Sequence, residues 1–472
     1  MNEKKMVGKR SVLFSRPPII IGAGSVAGEK EGNGAFGKCF DMVEEDPLFG
    51  GKTWEEAESK MQQLATRIAL RKAGLEPQEI RYLVAGDLLG QLIATSFGIM
   101  NFNIPMFGVY GACSTMGESL AIGAMLVDGE FADYVVALTS SHFASAEKQF
   151  RYPLAYGSQR PYSATWTVTG SGAVVLASSR AKWKRKETGY VEVTGITTGT
   201  ITDYGIKDSM NMGACMAPAA CDAILHNFKD MGIGPDYYDC IVTGDLGTIG
   251  QRILIDMLRG YGYDIEKQHF DCGTEIYYNK EQGTNAGGSG CGCSAITLCG
   301  YILQKMQKKE WKRVLFVPTG ALLSTVSFNE GNSIPGIAHA VMLEGISGSG
   351  KGGGRMDYVT AFLIGGAICA IVQVIMDNTK LLPGRIMVGL VCAGAILSFF
   401  GLYEPFADWA KSGASVPLIG FGHLLFKGVK EAVDKQGFIG TFYGGLESAA
   451  VGISGALIMG YLASLVFKSK MK

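Results

Sequence analysis

The sequence carries no net charge: 43 Lys and Arg balance 43 Asp and Glu, and charged residues make up only 18 % of its 472 positions. Without a basic surplus it lacks the electrostatic footprint of a general nucleic-acid binder. There are 66 glycines but no Gly-x-y period, which excludes a collagen-like rod. The 11 cysteines are odd in number and scattered, with neither a disulfide-type framework nor a paired Cys-x-x-Cys zinc pattern. Cys291 and Cys293, one glycine apart, read as two small buried residues rather than as metal ligands. The first 18 residues are basic and lack a long apolar core, so no signal peptide is expected and the N-terminal domain is assigned to the cytoplasmic side. Nothing in composition or motif calls for a cofactor.

What is present is unevenly distributed. Up to about residue 344 the sequence reads as a soluble α/β protein. Residues 345–355 (GISGSGKGGGR) have the composition of a flexible linker, and beyond them the character changes. Residues 359–376, 386–403 and 448–467 contain no charged side chain, and each approaches the roughly 20 residues that cross a hydrocarbon core. Their Gly and Ala at small-xxx-small spacing suit helices packed in lipid, so residues 356–472 are expected to form an all-α transmembrane module. Residues 416–426 are apolar but too short to span, and are expected to be re-entrant or interfacial. Lys351 and Arg355 before the first run, and Lys468, Lys470 and Lys472 after the last, favour both ends on the cytoplasmic face and an even number of crossings. Three runs make an odd number, so the topology stays open. Gln373 inside the first run and Glu447 at the border of the last are candidates for a polar membrane path. Glu447 fits the headgroup level equally well, and Glu404 and Asp408 are expected just outside a span.

The first 344 residues echo themselves. Residues 84–88 (VAGDL) return as 242–246 (VTGDL), 111–114 (GACS) as 291–294 (CGCS), 133–140 as 312–319, and 173–176 (AVVL) as 340–343 (AVML), in the same order. Short apolar, β-branched runs alternate with helix-like segments such as 53–74 and 219–231, the pattern of sheets covered by helices. A pseudo-twofold, layered α/β domain is expected.

Cys113 follows an expected strand over residues 105–110 and precedes an expected helix over 116–127. At a helix N-terminus the dipole and free N–H groups favour a thiolate, which with nearby backbone donors would serve acyl transfer; a buried structural cysteine is the plain alternative. Asp87 and Asp245 end strands in matched positions. There they meet Ca²⁺ through oxygen or, more commonly, bond local backbone in a turn. Arg151 and Arg160 flank Tyr152, Tyr156 and Tyr162, a setting for bidentate carboxylate binding and ring stacking, or simply a solvated loop. The basic run at 182–186 (KWKRK) reads as a solvated turn before an anionic-lipid contact.

A strand, a cysteine and a helix in a duplicated α/β chain resemble the thiolase and ketoacyl synthase superfamily. Gly111-Ala112-Cys113-Ser114-Thr115 is similar to its nucleophile motif, and Gly287-Gly288-Ser289-Gly290 to its late glycine loop. The resemblance implies a layered αβαβα domain over residues 1–344, with halves at about 15–180 and 181–344. Where initiating ketoacyl synthases carry His-Gln-Ala-Asn, this chain has Gly244-Asp245-Leu246-Gly247, without the histidine or the asparagine-type donor. His142, His269 and His339 remain as substitutes that no motif places. Longer strings, among them VAGDLL (84–89), FGVYGACST (107–115), EKQFRYP (147–153), TWTVTGSGAVVL (165–176), AGGSGCGCS (286–294) and TGALLS (319–324), resemble the AD family of stage V sporulation proteins. Residues 356–472 resemble the companion AE membrane family through GLYEP (401–405) and the glycine-rich spans, with Met356 reading as a former start residue. This resemblance implies movement of dipicolinic acid, with Ca²⁺, through the inner membrane of the forespore or spore during sporulation and germination, together with other stage V membrane subunits. It implies a non-enzymatic scaffold whose former acyl pocket binds the dicarboxylate, with Asp87, Cys113, His142, Arg151 and Arg160 as candidate contacts. The competing reading is a membrane-tethered acyl-transfer enzyme using Cys113.

Overall fold

The computed structural model describes residues 5–150, 160–183, 189–346, 355–379, 382–410, 412–442, 444–445 and 447–450. The chain divides into two compact units, Met1–Gly348 and Ser349–Lys472. Most of the expected linker, residues 347–354, lies outside the described residues.

Ten strands form the spine of the first unit: β1 (Ile19–Gly28), β2 (Tyr82–Gly86), β3 (Met106–Gly108), β4 (Tyr134–Ser141), β5 (Gly170–Ala177), β6 (Tyr190–Thr197), β7 (Cys240–Thr243), β8 (His269–Asp271), β9 (Arg313–Val317) and β10 (Ala340–Ile346). Their spatial order is β8-β7-β9-β10-β6-β1-β5-β4-β2-β3. Outward from the centre one half runs β1-β5-β4-β2-β3 and the other β6-β10-β9-β7-β8, so each strand of the second half repeats the one five places earlier. The senses repeat as well, two antiparallel pairings followed by two parallel ones. The halves meet where β1 and β6 pair antiparallel, at Ile20 with Val191 and Ile19 with Glu192. All four sequence echoes fall on equivalent elements of the two halves.

The helices make the layers. α1 (Trp54–Ala73) starts at Thr53, whose hydroxyl accepts the Glu56 N–H at 3.1 Å, and stops at Gly74 in the left-handed conformation. α2 (Thr115–Asp128), α3 (Met212–Met231) and α4 (Cys291–Thr297) follow, α4 running on through a π turn at Leu298–Ile302. Along β4, Val135 and Ala137 pack with α2 and α4, whereas Tyr134, Val136 and Leu138 pack with α1. Along β9, Val314 and Phe316 join the same middle layer, whereas Leu315 and Val317 pack with α3. Period-two burial thus puts α2 and α4 between the two half-sheets and α1 and α3 outside them, five layers in all. Burying each such large side chain contributes about 1.5–3 kcal/mol. The helix expected from residue 219 begins at Met212 instead. Pro218 resembles a helix-starting proline, but Asn211 caps the true start by accepting the Ala214 N–H at 3.4 Å.

The second unit is helical: α5 (Arg355–Asn378), α6 (Pro383–Phe399) and α7 (Leu418–Gln436), with short helices at Tyr403–Ala410 and Ser412–Ser415. Among the described residues one helix, over Ala361–Asn378, is long and apolar enough to cross a membrane, and none of that span is buried. α6 is apolar but shorter at 17 residues, because Gly401, at φ 71, turns the chain inside the second expected run. Residues 451–467 of the third run lie outside the described residues. Residues 416–426, expected to be too short to span and to be re-entrant or interfacial, form from Leu418 the first part of the 19-residue α7. The residues that follow, Lys427 to Gln436, are mostly good helix formers and carry it on. Gly394 and Gly422 bring the α6 and α7 backbones together, since a methyl on either would overlap the carbonyl of Ile419 or Val391. Gln373 is exposed and donates to Asp377 Oδ1 at 2.9 Å, and Glu447 is also exposed.

Candidate functional site

Cys113 sits where the chain leaves edge strand β3 and turns into α2. Ala112 takes φ 48, in the left-handed region that costs a residue with a side chain roughly 1–2 kcal/mol. The turn is held by Ser114 Oγ donating to the Gly111 carbonyl and Thr115 Oγ1 to the Ala112 carbonyl, each at 2.6 Å. The second half of the domain contributes as well. Gly320 packs so closely that a methyl there would overlap the Gly111 carbonyl and come within 3.0 Å of the Ser114 nitrogen. The cysteine is thus presented by a strained turn that both halves fix.

In front of Cys113 lies a cavity of about 50 Å³, walled by Leu88, Tyr110, Ala112, Ala146, Phe150, Met212, Asp245 and Gly290 among others. No Lys, Arg or His is among the described wall residues. Asp245, just past the end of β7, is buried. Its carboxylate accepts the Gly290 N–H at 2.9 Å and the Thr319 hydroxyl at 2.8 Å, and also meets the Cys113 thiol. Burial pushes this carboxyl up to about 7, against the pull of those three donors. In return, burial and then the Asp245 charge and Cys291 push the Cys113 thiol well above the ordinary thiol range. A carboxylate beside the sulfur does the opposite of an imidazolium, which would favour the thiolate. Cys291 completes the wall's inner layer. It is buried with Leu88 and Ala146, and its Sγ donates to the Ala112 carbonyl at 3.0 Å.

Of the five ligand contacts expected from sequence, Cys113 alone lines this cavity among the described residues. Asp87 accepts the Leu89 and Thr95 N–H groups at 2.7 Å each and the Thr95 hydroxyl at 2.5 Å, closing a loop instead. Beside it is the buried Glu58, which accepts from Ser140 and Ser145 and is raised to about 8 by burial and then by the Asp87 charge. His142 accepts the Ala144 N–H at Nδ1 (3.1 Å), so its proton is on Nε2, donated to the Pro47 carbonyl at 2.8 Å. Burial lowers its pKa. Arg160 lies over the Trp166 ring, 4.9 Å from Cζ to the centroid, and donates to the Thr165 carbonyl; Trp166 also stacks on Phe143. Arg151 lies outside the described residues. His269 and His339 are held down to about 4 by burial and do not line the cavity. Asp245, which the sequence left between a Ca²⁺ contact and the commoner local turn, lines this cavity. Its signal was there, an aspartate in the segment compared with the family's histidine motif. Among the described residues no group of three or more His, Cys, Asp or Glu is placed to hold a metal ion.

A duplicated five-layer α/β scaffold with a cysteine elbow on a middle-layer helix is a thiolase-like architecture, here joined to an apolar helical unit. The chain belongs to the stage V sporulation protein AD (SpoVAD) family, whose sequence model matches residues 8–344. The stage V sporulation protein AD of Bacillus subtilis (strain 168) is 42 % identical over 345 residues, covering 73 % of this chain and 99 % of that protein. Residues 357–466 match the SpoVAC/SpoVAEB sporulation membrane protein family. The stage V sporulation protein AC of the same organism is 33 % identical over 75 residues, 14 % of this chain and 50 % of that protein. Among solved structures, 3-oxoacyl-[acyl-carrier-protein] synthase III from Aquifex aeolicus VF5 is 14 % identical, with coverage of 69 % of this chain and 99 % of that one and a TM-score of 0.44. The protein is therefore a sporulation protein with a membrane-associated helical unit.

Proposed function

We propose that the protein is a non-enzymatic component of a spore membrane channel. Its soluble unit captures dipicolinate, alone or as the calcium chelate, in the Cys113 cavity. Its helical unit joins other stage V subunits in the inner membrane of the forespore or spore to pass the ligand. The observation that carries this reading is the pairing of Cys113 with Asp245. Acyl transfer needs a thiolate and a positioned base, whereas this thiol is pushed away from ionisation and its neighbour is an acceptor already engaged by Gly290 and Thr319. Binding asks less of the same site. Tyr110, Phe150 and Met212 offer apolar and aromatic surface to a flat ring, and the N-terminus of α2 turns its positive end toward a carboxylate. Three or four helices do not readily enclose a path for a dicarboxylate, which is why further subunits are included.

The test is calorimetric titration of the full chain in detergent with dipicolinate, with and without Ca²⁺. Saturable binding that weakens in Cys113→Ala is expected. Absence of saturable binding, together with an acyl adduct on Cys113 after incubation with an acyl-CoA, would replace this reading by the acyl-transfer enzyme.

A further inference from the structure

Asp245 is the one carboxyl on the described wall of the Cys113 cavity, and no cation shares that wall. Its setting is fixed by Gly290 N–H and the Thr319 hydroxyl, and the sulfur of Cys113 meets it from the elbow. The other titratable groups around it come from three directions. From β8 and just beyond it come His269, Asp271 and Cys272. From α4 come Cys291 and Cys293, with Cys293 Sγ donating to the Gly244 carbonyl at 3.3 Å. From the end of β3 comes Tyr110. Burial keeps His269 neutral and holds the thiols and the Tyr110 phenol in their protonated forms. Asp271 is the second carboxylate, its oxygens taken up by Leu246, Gly247 and Thr274 N–H groups and the Thr243 hydroxyl at 2.6–3.0 Å. No group facing Asp245 among the described residues would neutralise a negative charge on it when an anion arrives.

We propose that Asp245 makes anion capture in this cavity proton-coupled: a carboxylate ligand enters together with one proton on Asp245 and is released when that proton leaves. The inference rests on the reading of the cavity as a dicarboxylate site and adds what controls its occupancy. A neutral Asp245 tolerates the ligand's charge and has an O–H to donate to it. An ionised Asp245 opposes it across a low-dielectric space, where like charges repel strongly. Burial pushes the Asp245 carboxyl up to about 7, so the change falls within an accessible range. Ordinary carboxylic acids are ionised throughout that range, so the ligand's own charge does not change. Capture is therefore favoured below neutrality and release above it, with the protein supplying the proton site.

The experiment is calorimetry on the full chain in detergent with calcium-free dipicolinate, from pH 6 to pH 8.5. The affinity is expected to fall toward about tenfold per pH unit above about pH 7. Titrations in two buffers of different ionisation heat should report uptake approaching one proton per ligand bound near pH 7.5. In Asp245→Asn the affinity should stay level within about twofold across this range. Saturable binding that is level with pH in the unmodified chain overturns the proposal, and so does an Asp245→Asn chain that keeps the slope. If that variant does not fold, the proton count on the unmodified chain decides, and a count near zero overturns it. Absence of saturable binding at every pH is a different failure, since it removes the ligand reading itself and this inference with it.

Discussion

Asp87 and Asp245 occupy the same step of the two halves, each following a Gly at the end of an equivalent strand and preceding a Leu. Their surroundings differ completely. In the first half the chain folds straight back over the carboxylate, and Leu89 and Thr95 consume it within eight residues. In the second half nothing nearby in sequence closes over Asp245; its donors arrive from Thr319, Gly290 and the Cys113 elbow of the other half. Duplication provides two equivalent frames, and the site arises where they stop being equivalent. Exchanging each aspartate for alanine breaks the comparison most directly. Asp87→Ala strands three buried donors at about 1–3 kcal/mol each, so a loss of about 3 kcal/mol or more is expected in denaturant unfolding of the full chain. Asp245→Ala also strands three, but one is a weak thiol donor and all lie beside a cavity that water can enter, so about half that loss is expected. Equal losses would mean the two positions are both merely structural.

The middle helices are clasped in the same crosswise manner. Gly320, just past β9, lies against the Gly111–Ser114 turn at the start of α2. Its counterpart Ser141, at the end of β4, lies against the start of α4, accepting the Gly292 N–H at 2.9 Å and donating to the Val168 carbonyl at 2.7 Å. One clasp is a glycine because the elbow leaves no room for a methyl, and the other is a hydrogen-bonding serine. Gly320→Ala should therefore cost about 2–3 kcal/mol by displacing the elbow, and should weaken ligand binding along with stability. Ser141→Ala should cost about 1 kcal/mol and leave the ligand affinity within a few-fold. Chemical denaturation and calorimetry on both variants would show whether the asymmetry is real.

A third difference is pH-dependent. The first half buries Glu58 beside Asp87, and its carboxyl is raised to about 8 by burial and by that neighbour. A raised acid contributes its stabilisation fully below its unfolded value of about 4.5 and loses it as pH climbs toward its folded value. Between pH 5 and pH 8 the first half should therefore lose stability through Glu58, and Glu58→Gln should flatten the decline. Relative to the unmodified chain its melting temperature should gain about 2–4 °C at pH 8 over the difference at pH 5. Parallel melting profiles would place the sensitive carboxylate elsewhere.

The frame was legible because it is local. Alternating burial along residues 134–138, the capping Thr53 and the closing Gly74 act within a few residues of themselves, and the echoes at residues 84, 133 and 173 returned in order. The cysteine elbow was legible for the same reason. The contacts of the aspartates were not, because nothing local in Gly-Asp-Leu distinguishes a carboxylate bonded two and eight residues on from one bonded 45 and 74 residues on. His142 followed a strand that pointed toward the site, yet its ring is spent on Pro47 and Trp54, contacts set by tertiary packing. Residues 416–426 were legible as a short apolar stretch but not as the start of a 19-residue helix, because the helix formers that carry it on are largely charged.

The smallest expected effect concerns the two matched cysteines. Cys113 is half-buried, while its counterpart Cys293 at the start of α4 is fully buried. Both thiols are raised, Cys113 by burial and then the Asp245 charge, Cys293 by burial and then Cys272 and Asp245. Asp245→Asn removes one of these causes from each and leaves the larger one, burial, in place. A lowered thiol pKa raises the thiolate fraction about tenfold per unit but makes each thiolate a weaker nucleophile, so the net gain is only about threefold per unit. Iodoacetamide at pH 7.5, followed by peptide mass spectrometry, should thus label Cys113 faster in Asp245→Asn than in the unmodified chain, and Cys293 in neither. An unchanged or slower rate at Cys113 would show that the carboxylate does not govern the sulfur, and labelling of Cys293 would show that the two halves bury their cysteines alike. The predicted gain is small because Asp245 only modulates a thiol that burial already keeps protonated.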